Sequence, residues 1–205
     1  LSVLTCMQQS IMNLGILMVQ GLVNSFGTAV MAAFAAAVKI DSFAYMPVQD
    51  FGNAFSTFVA QNYGAGKKRR IVKGIWTMVF LEVVSWGVGV LICLVAGEQI
   101  FYLFTDNAEI VYYAKLTMLY DIPLYWAMAT AYAMTCVIRG MGRSRAASFI
   151  FVFTMCVLRQ VWILIANGLG LGISGILASY PISWMFALAG SILYALYLKR
   201  IGEFR

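Results

Sequence analysis

Lys39, Asp41, Asp50, Glu82, Lys115, Asp121 and Arg159 are ionisable side chains set inside long apolar runs. A charge near the centre of a bilayer costs about 2.5–3.5 kcal/mol on insertion scales, so each of them is a candidate for function. Helical geometry sorts them. At 100° per residue Lys39 and Asp41 point to nearly opposite sides of one helix, and Asp50 shares the face of Lys39 at too large a rise for contact, which argues against a simple Lys39–Asp41 ion pair. Asp121, Tyr125, Met128 and Tyr132 fall on one stripe at i, i+4, i+7 and i+11. Such a stripe offers a carboxylate for a cation, aromatic faces for cation–π contact and an adaptable thioether. The same spacing also serves plain packing, with Asp121 neutralised by a structural partner, and both readings stay open. Counted from the nearest basic end at 1.5 Å per residue, Asp121 lies about 27 Å deep, Arg159 about 21 Å and Glu82 about 14 Å. Arg159 is therefore expected to pair with Asp121 or Glu82, as a fixed bridge or as a switched one.

Other chemistries are excluded by what the chain lacks. It contains no histidine, so no Ser/His/Asp or Cys/His triad can be assembled and the usual zinc spacings are absent. Cys6, Cys93, Cys136 and Cys156 are far apart within apolar runs and read as small packing residues. Gly170, Gly172 and Gly175 spell G-x-G-x-x-G, but no acid follows in GSILYALYL and no strand precedes, so the glycines read as a turn between helices. Gly64, Gly66 and Lys67 lack the spacing of a phosphate-binding loop. No catalytic residue and no cofactor is expected.

The elements that must carry these side chains are membrane helices. Of 205 residues 62% are hydrophobic and 11% charged, with a mean hydropathy of +0.86, against about 25% charged residues in soluble domains. Apolar runs bounded by charge or glycine cover about 1–24, 28–62, 72–97, 108–138, 147–167 and 174–198. This predicts an all-α, polytopic integral membrane bundle of six helices forming one unit over 1–205. Leu1 opens directly on an apolar run without a charged leader or cleavage site, so that run reads as a span. Pro47, Pro123 and Pro181 are expected to bend the second, fourth and sixth spans. Gly87, Gly89, Gly140 and Gly142 read as points of close helix approach or turns.

Basic residues gather at Lys67, Lys68, Arg69, Arg70 and Lys73, at Arg139, Arg143 and Arg145, and at Lys199, Arg200 and Arg205. These are the links after spans two and four and the tail, all on one side of a six-span chain. The opposite links carry Glu98, Asp106 and Glu109. The positive-inside rule then puts both termini of this segment in the cytoplasm of a cell-membrane protein. Topology and headgroup anchoring account for the net charge of +6, leaving no reason to invoke nucleic acid.

VNSFG at Val23–Gly27, KIDSFAYMPVQDFGNAFSTFVAQNYGAG at Lys39–Gly66 and the KKRRIVKG that follows resemble the second helical repeat of multidrug and toxic compound extrusion (MATE) transporters. IRGMGRSR at Ile138–Arg145, Arg159 in VLRQVW and YPISW at Tyr180–Trp184 resemble later helices of the same lobe. The resemblance covers essentially the whole chain and matches the C-terminal one of two pseudo-symmetric six-helix lobes. It implies export of organic cations in exchange for sodium ions or protons, by alternating access against a missing N-terminal lobe or a homodimer mate. Sodium-coupled relatives place an acid on the first helix of this lobe, whereas residues 1–24 carry only the amides Gln8, Gln9, Asn13, Gln20 and Asn24. Coupling then falls to Asp41, Asp121 or the other lobe. A lipid-linked sugar flippase of the same superfamily would need several basic residues around its cavity, and a non-transporting membrane scaffold would need none of this chemistry.

Overall fold

The computed structural model describes residues 2–102 and 106–203. Among them all regular structure is helical, as a bilayer demands of any chain that must satisfy its own backbone N–H and C=O groups. Helix α1 (Ser2–Val23) ends in a 3-10 turn, Asn24–Phe26, and Gly27, at φ 104°, starts α2 (Thr28–Gly64). Then come α3 (Lys68–Tyr102), α4 (Ala108–Asp121), α5 (Tyr125–Gly140), α6 (Ser144–Val152), α7 (Arg159–Gly168), α8 (Gly172–Leu177) and α9 (Ser179–Arg200). The pairs α4/α5, α6/α7 and α8/α9 each form one interrupted leg, so the described residues make a bundle of six legs.

Among the described residues three helical stretches are apolar and long enough to cross a membrane by composition alone, Lys68–Val95, Ser144–Gly168 and Gly172–Arg200. The other legs reach equally far but are more polar: α1 carries amides, α2 carries Lys39, Asp41 and Asp50, and the fourth leg is broken around Pro123. Much of α3 faces outward, with Trp76 72%, Phe80 66% and Leu94 79% exposed, as suits a helix against lipid.

α5 is the central helix and packs most extensively on α9 and α2. Its seam with α2 depends on two glycines. A Cβ at Gly140 would lie 2.5 Å from the backbone oxygen of Ser56, and one at Gly52 would lie 2.8 Å from the Tyr132 ring. Gly142, at φ 82°, makes the following turn. At Gly87 and Gly89, by contrast, a Cβ would meet nothing within 4 Å, so these two glycines close no helix contact within this chain. Gly170 and Gly172 take φ of 69° and 60° in the turn between α7 and α8.

The three prolines behave differently. Pro123 sits in the 3-10 turn Ile122–Leu124 that separates α4 from α5. Pro181 lies in the first turn of α9, where its missing N–H would have had no helical partner. The helix α2 runs unbroken through Pro47. A π-helical segment, Phe153–Leu158, joins α6 to α7 immediately before Arg159.

At one end the chain ties its basic links together. The Arg143 guanidinium holds Glu203 at 2.7 Å, Tyr63 donates its hydroxyl to the same carboxylate, and Lys68 Nζ donates to the Gly202 carbonyl at 3.1 Å. The link after α2, the link after α5 and the tail after α9 therefore share one end of the bundle. The Tyr63 hydrogen bond, and after it the Arg143 guanidinium, hold the Glu203 carboxyl below its ordinary value. The same hydrogen bond raises the Tyr63 phenol, and the bond to Glu203 raises Arg143.

Candidate functional site

Glu82 on α3 and Asp121 at the end of α4 face one cavity of about 470 Å³. They are 7% and 4% exposed. Tyr125, at the start of α5, lines the same space, with Phe51 from α2 and Trp86 from α3. The site is built where Pro123 stops α4. Loss of the proline N–H ends the regular ladder, and the Trp86 indole donates to the Ile122 carbonyl at 2.9 Å, pinning α3 to the break. Neither oxygen of Glu82 has a hydrogen-bond donor among the described residues. A carboxylate in that position is expensive when ionised unless a cation enters beside it.

The four-residue stripe is divided by the structure. Asp121 and Tyr125 share the cavity, while Met128 and Tyr132, 7% and 3% exposed, turn into the core between α2, α5, the π segment and α9. Tyr132 meets the Tyr45 and Phe151 rings at 5.7 and 5.6 Å, and its hydroxyl lies 3.4 Å from Asn53 Oδ1. The spacing assumed an unbroken α-helix, but a 3-10 turn advances about 120° per residue and swings the following helix by about 60° over three residues. Tyr125 bridges both regions, its ring lying 5.6 Å from that of Trp184.

Arg159 is 5% exposed. Its Nη2 and Nε donate to Ser183 Oγ at 2.8 and 3.2 Å, and its Cζ stands 4.1 Å over the Tyr180 ring. Ser183 passes its own proton on to the Tyr180 carbonyl at 2.8 Å. Of the two carboxylates expected as partners, Glu82 does not meet Arg159, since neither of its oxygens receives a hydrogen bond.

Asp41 belongs to α2, but its side chain lies outside the described residues. Lys39, Asp50 and Lys115 are exposed. Of the amides in residues 1–24, Gln8 is buried and accepts from Ser148 at 3.0 Å and from Arg139 at 3.5 Å, whereas Gln9, Asn13 and Asn24 are exposed; Gln160 of α7 donates to the Gly15 carbonyl at 3.0 Å. Cys136 and Cys156 are buried, and none of the four cysteines is in a disulfide.

Sequence reasoning missed Trp86 and Phe51. A signal existed for the first, because Glu82, Trp86, Gly89 and Cys93 recur at i, i+4, i+7 and i+11 and all line the cavity. Among the described residues no three His, Cys, Asp or Glu side chains converge as a metal site would require. Two carboxylates amid aromatic and aliphatic walls can instead accept a monovalent cation or an ammonium group.

Comparison with known proteins agrees with this architecture. The MatE family profile matches residues 2–163. The chain is 26% identical over 176 residues to the probable multidrug resistance protein YoeA of Bacillus subtilis, covering 85% of this chain and 38% of that protein. It is 22% identical over 191 residues to the probable multidrug resistance protein YpnP of the same organism, covering 93% and 43%. Crystal structures of the Vibrio cholerae MATE transporter VcmN, a mutant and the bent form, superpose with TM-scores of 0.86 and 0.85 at 18% identity. Each superposition covers 97% of this chain and 45% of VcmN. The chain thus spans less than half the length of the relatives it matches.

Proposed function

The chain belongs to the MatE family, and from that premise we propose that it is one lobe of a secondary active exporter of organic cations, driven by inward flow of sodium ions or protons. The observation that carries this reading is the shared cavity of Glu82, Asp121 and Tyr125. Its two buried acids favour a positively charged cargo or coupling ion, and its aromatic walls favour a cargo with an apolar body. Among the described residues no Lys or Arg lines it, which disfavours the pyrophosphate of a lipid-linked sugar.

The protein is a multi-pass membrane protein, and the basic links gathered at one end support cytoplasmic termini for this segment. Alternating access needs a second lobe, supplied by an N-terminal half or by a second copy of this chain. The relatives' printed descriptions as multidrug resistance proteins support drug-like cations as cargo. The test is ethidium efflux from cells expressing the native polypeptide that contains this chain. Efflux that collapses when sodium and proton gradients are dissipated supports the proposal, and ethidium retention equal to that of cells lacking the protein overturns it.

A further inference from the structure

We infer that Glu82 is the anionic anchor of a binding site, internal to this lobe, for a hydrophobic monovalent organic cation. The inference deepens the exporter reading and rests on it for the class of ligand. Its own support is geometric. Glu82 is 7% exposed, it lines the cavity, and among the described residues neither of its oxygens finds a hydrogen-bond donor. A native fold that carries a buried carboxylate with both oxygens unsatisfied retains an energetic cost that a counter-cation removes.

The walls decide which cation. Sodium binds through a shell of oxygen atoms, whereas Val48, Phe51, Leu81, Val90 and Met118 present hydrocarbon or thioether over most of this surface. Trp86 adds an indole face one helical turn from Glu82, the best aromatic partner for a cation. A volume of about 470 Å³ falls within the range of roughly 300–1,000 Å³ that holds small organic ligands. The site also lies behind a single helix whose opposite face carries the exposed Trp76, Phe80 and Leu94.

The test is equilibrium binding to the native polypeptide in detergent, with no ion gradient, using tetraphenylphosphonium and its uncharged near-isostere triphenylphosphine oxide. Glu82→Gln is expected to weaken tetraphenylphosphonium by about tenfold or more, the scale of losing one partner of a desolvated charge pair, and to leave the neutral compound unchanged. Glu82→Asp should recover part of the loss. Cation binding should quench a component of tryptophan fluorescence that is missing from Trp86→Phe. Wild-type affinity in Glu82→Gln, or an equal loss for both compounds, overturns the inference. Failure of the exporter reading is seen separately, as absent gradient-driven efflux by the wild type.

Discussion

The indole N–H of Trp86 reaches from α3 to the carbonyl oxygen of Ile122 at 2.9 Å, where Pro123 has separated α4 from α5. This one bond ties α3 to the break and adds a second donor to a carbonyl that the Tyr125 N–H also meets. Trp86→Phe keeps an aromatic ring and removes one of two donors to Ile122, the other being the Tyr125 backbone N–H, so it should cost about 0.5–1.5 kcal/mol, the net contribution of one hydrogen bond. The check is the thermal midpoint of the purified protein, which should fall for Trp86→Phe and not for Trp76→Phe, whose indole is 72% exposed.

The α2–α5 seam predicts an asymmetry among glycines. Ala at Gly140 would press a methyl to 2.5 Å from the Ser56 backbone oxygen, which has no flexible end to swing away. Forced overpacking of this kind costs about 1–3 kcal/mol. Ala at Gly87 meets open space and gains helix propensity of up to about 1 kcal/mol. Size-exclusion thermostability should therefore fall for Gly140→Ala and hold or rise for Gly87→Ala. Equal behaviour of the two would contradict the seam.

How far the sequence could be read depended on whether helices stay regular. The all-α membrane bundle was legible because uninterrupted apolar runs have no other way to satisfy their backbones in lipid. Asp121 with Tyr125 was legible for the same reason, as were the basic links at Lys68 and Arg143, which do meet at one end. Met128 and Tyr132 were lost from the stripe because, after the 3-10 turn, α5 sets Tyr125 and Ala129 on the cavity and turns Met128 and Tyr132 into the core. Arg159 was legible as a buried charge, whereas Ser183 and Tyr180, which hold its guanidinium from α9, were not visible in hydrophobic spacing. Glu82 was visible as a buried charge, but its lack of a donor is a property of three packed helices and not of α3 alone.

The latch at Tyr63, Arg143 and Glu203 predicts a pH dependence. The Glu203 carboxyl is lowered, first by the Tyr63 hydrogen bond and then by Arg143. A lowered acid stabilises the fold above its unfolded value, near pH 4.3, and that contribution fades as pH falls through the folded value. Tyr63 is raised, so its contribution is complete below pH of about 10 and fades above it. The thermal midpoint of wild type minus that of Glu203→Gln should be level near neutrality and shrink at both extremes. Because the bridge is partly exposed, it should also shrink in molar salt. A difference that ignores acid, alkali and salt would remove the latch.

Arg159 predicts that charge alone is insufficient on α7. Its fork donates through two nitrogens to Ser183 while its plane covers Tyr180 at 4.1 Å. Lys preserves the charge but can neither bridge in that way nor stack as a plane. Arg159→Lys should lower the thermal midpoint by nearly as much as Arg159→Met, with the stacking part contributing about 0.5–2 kcal/mol. Midpoints for Lys close to wild type would show that only the charge matters there.

The division of the old stripe gives the sharpest separation of function from packing. Asp121 and Tyr125 face the cavity, whereas Met128 is 7% exposed in the core that also holds Met155, Trp184 and Leu188. Met128→Ala removes buried volume from close packing and should cost about 2–5 kcal/mol of stability. Whatever properly folded Met128→Ala protein remains should still extrude ethidium. Asp121→Asn keeps the shape of the side chain and removes its charge, so efflux per folded molecule should fall at least about tenfold, the equivalent of 1.4 kcal/mol. Measuring efflux per folded molecule separates the two. If Met128→Ala stops efflux at full stability, or Asp121→Asn exports normally, then the cavity between α3 and the Pro123 break is not where this lobe handles positive charge.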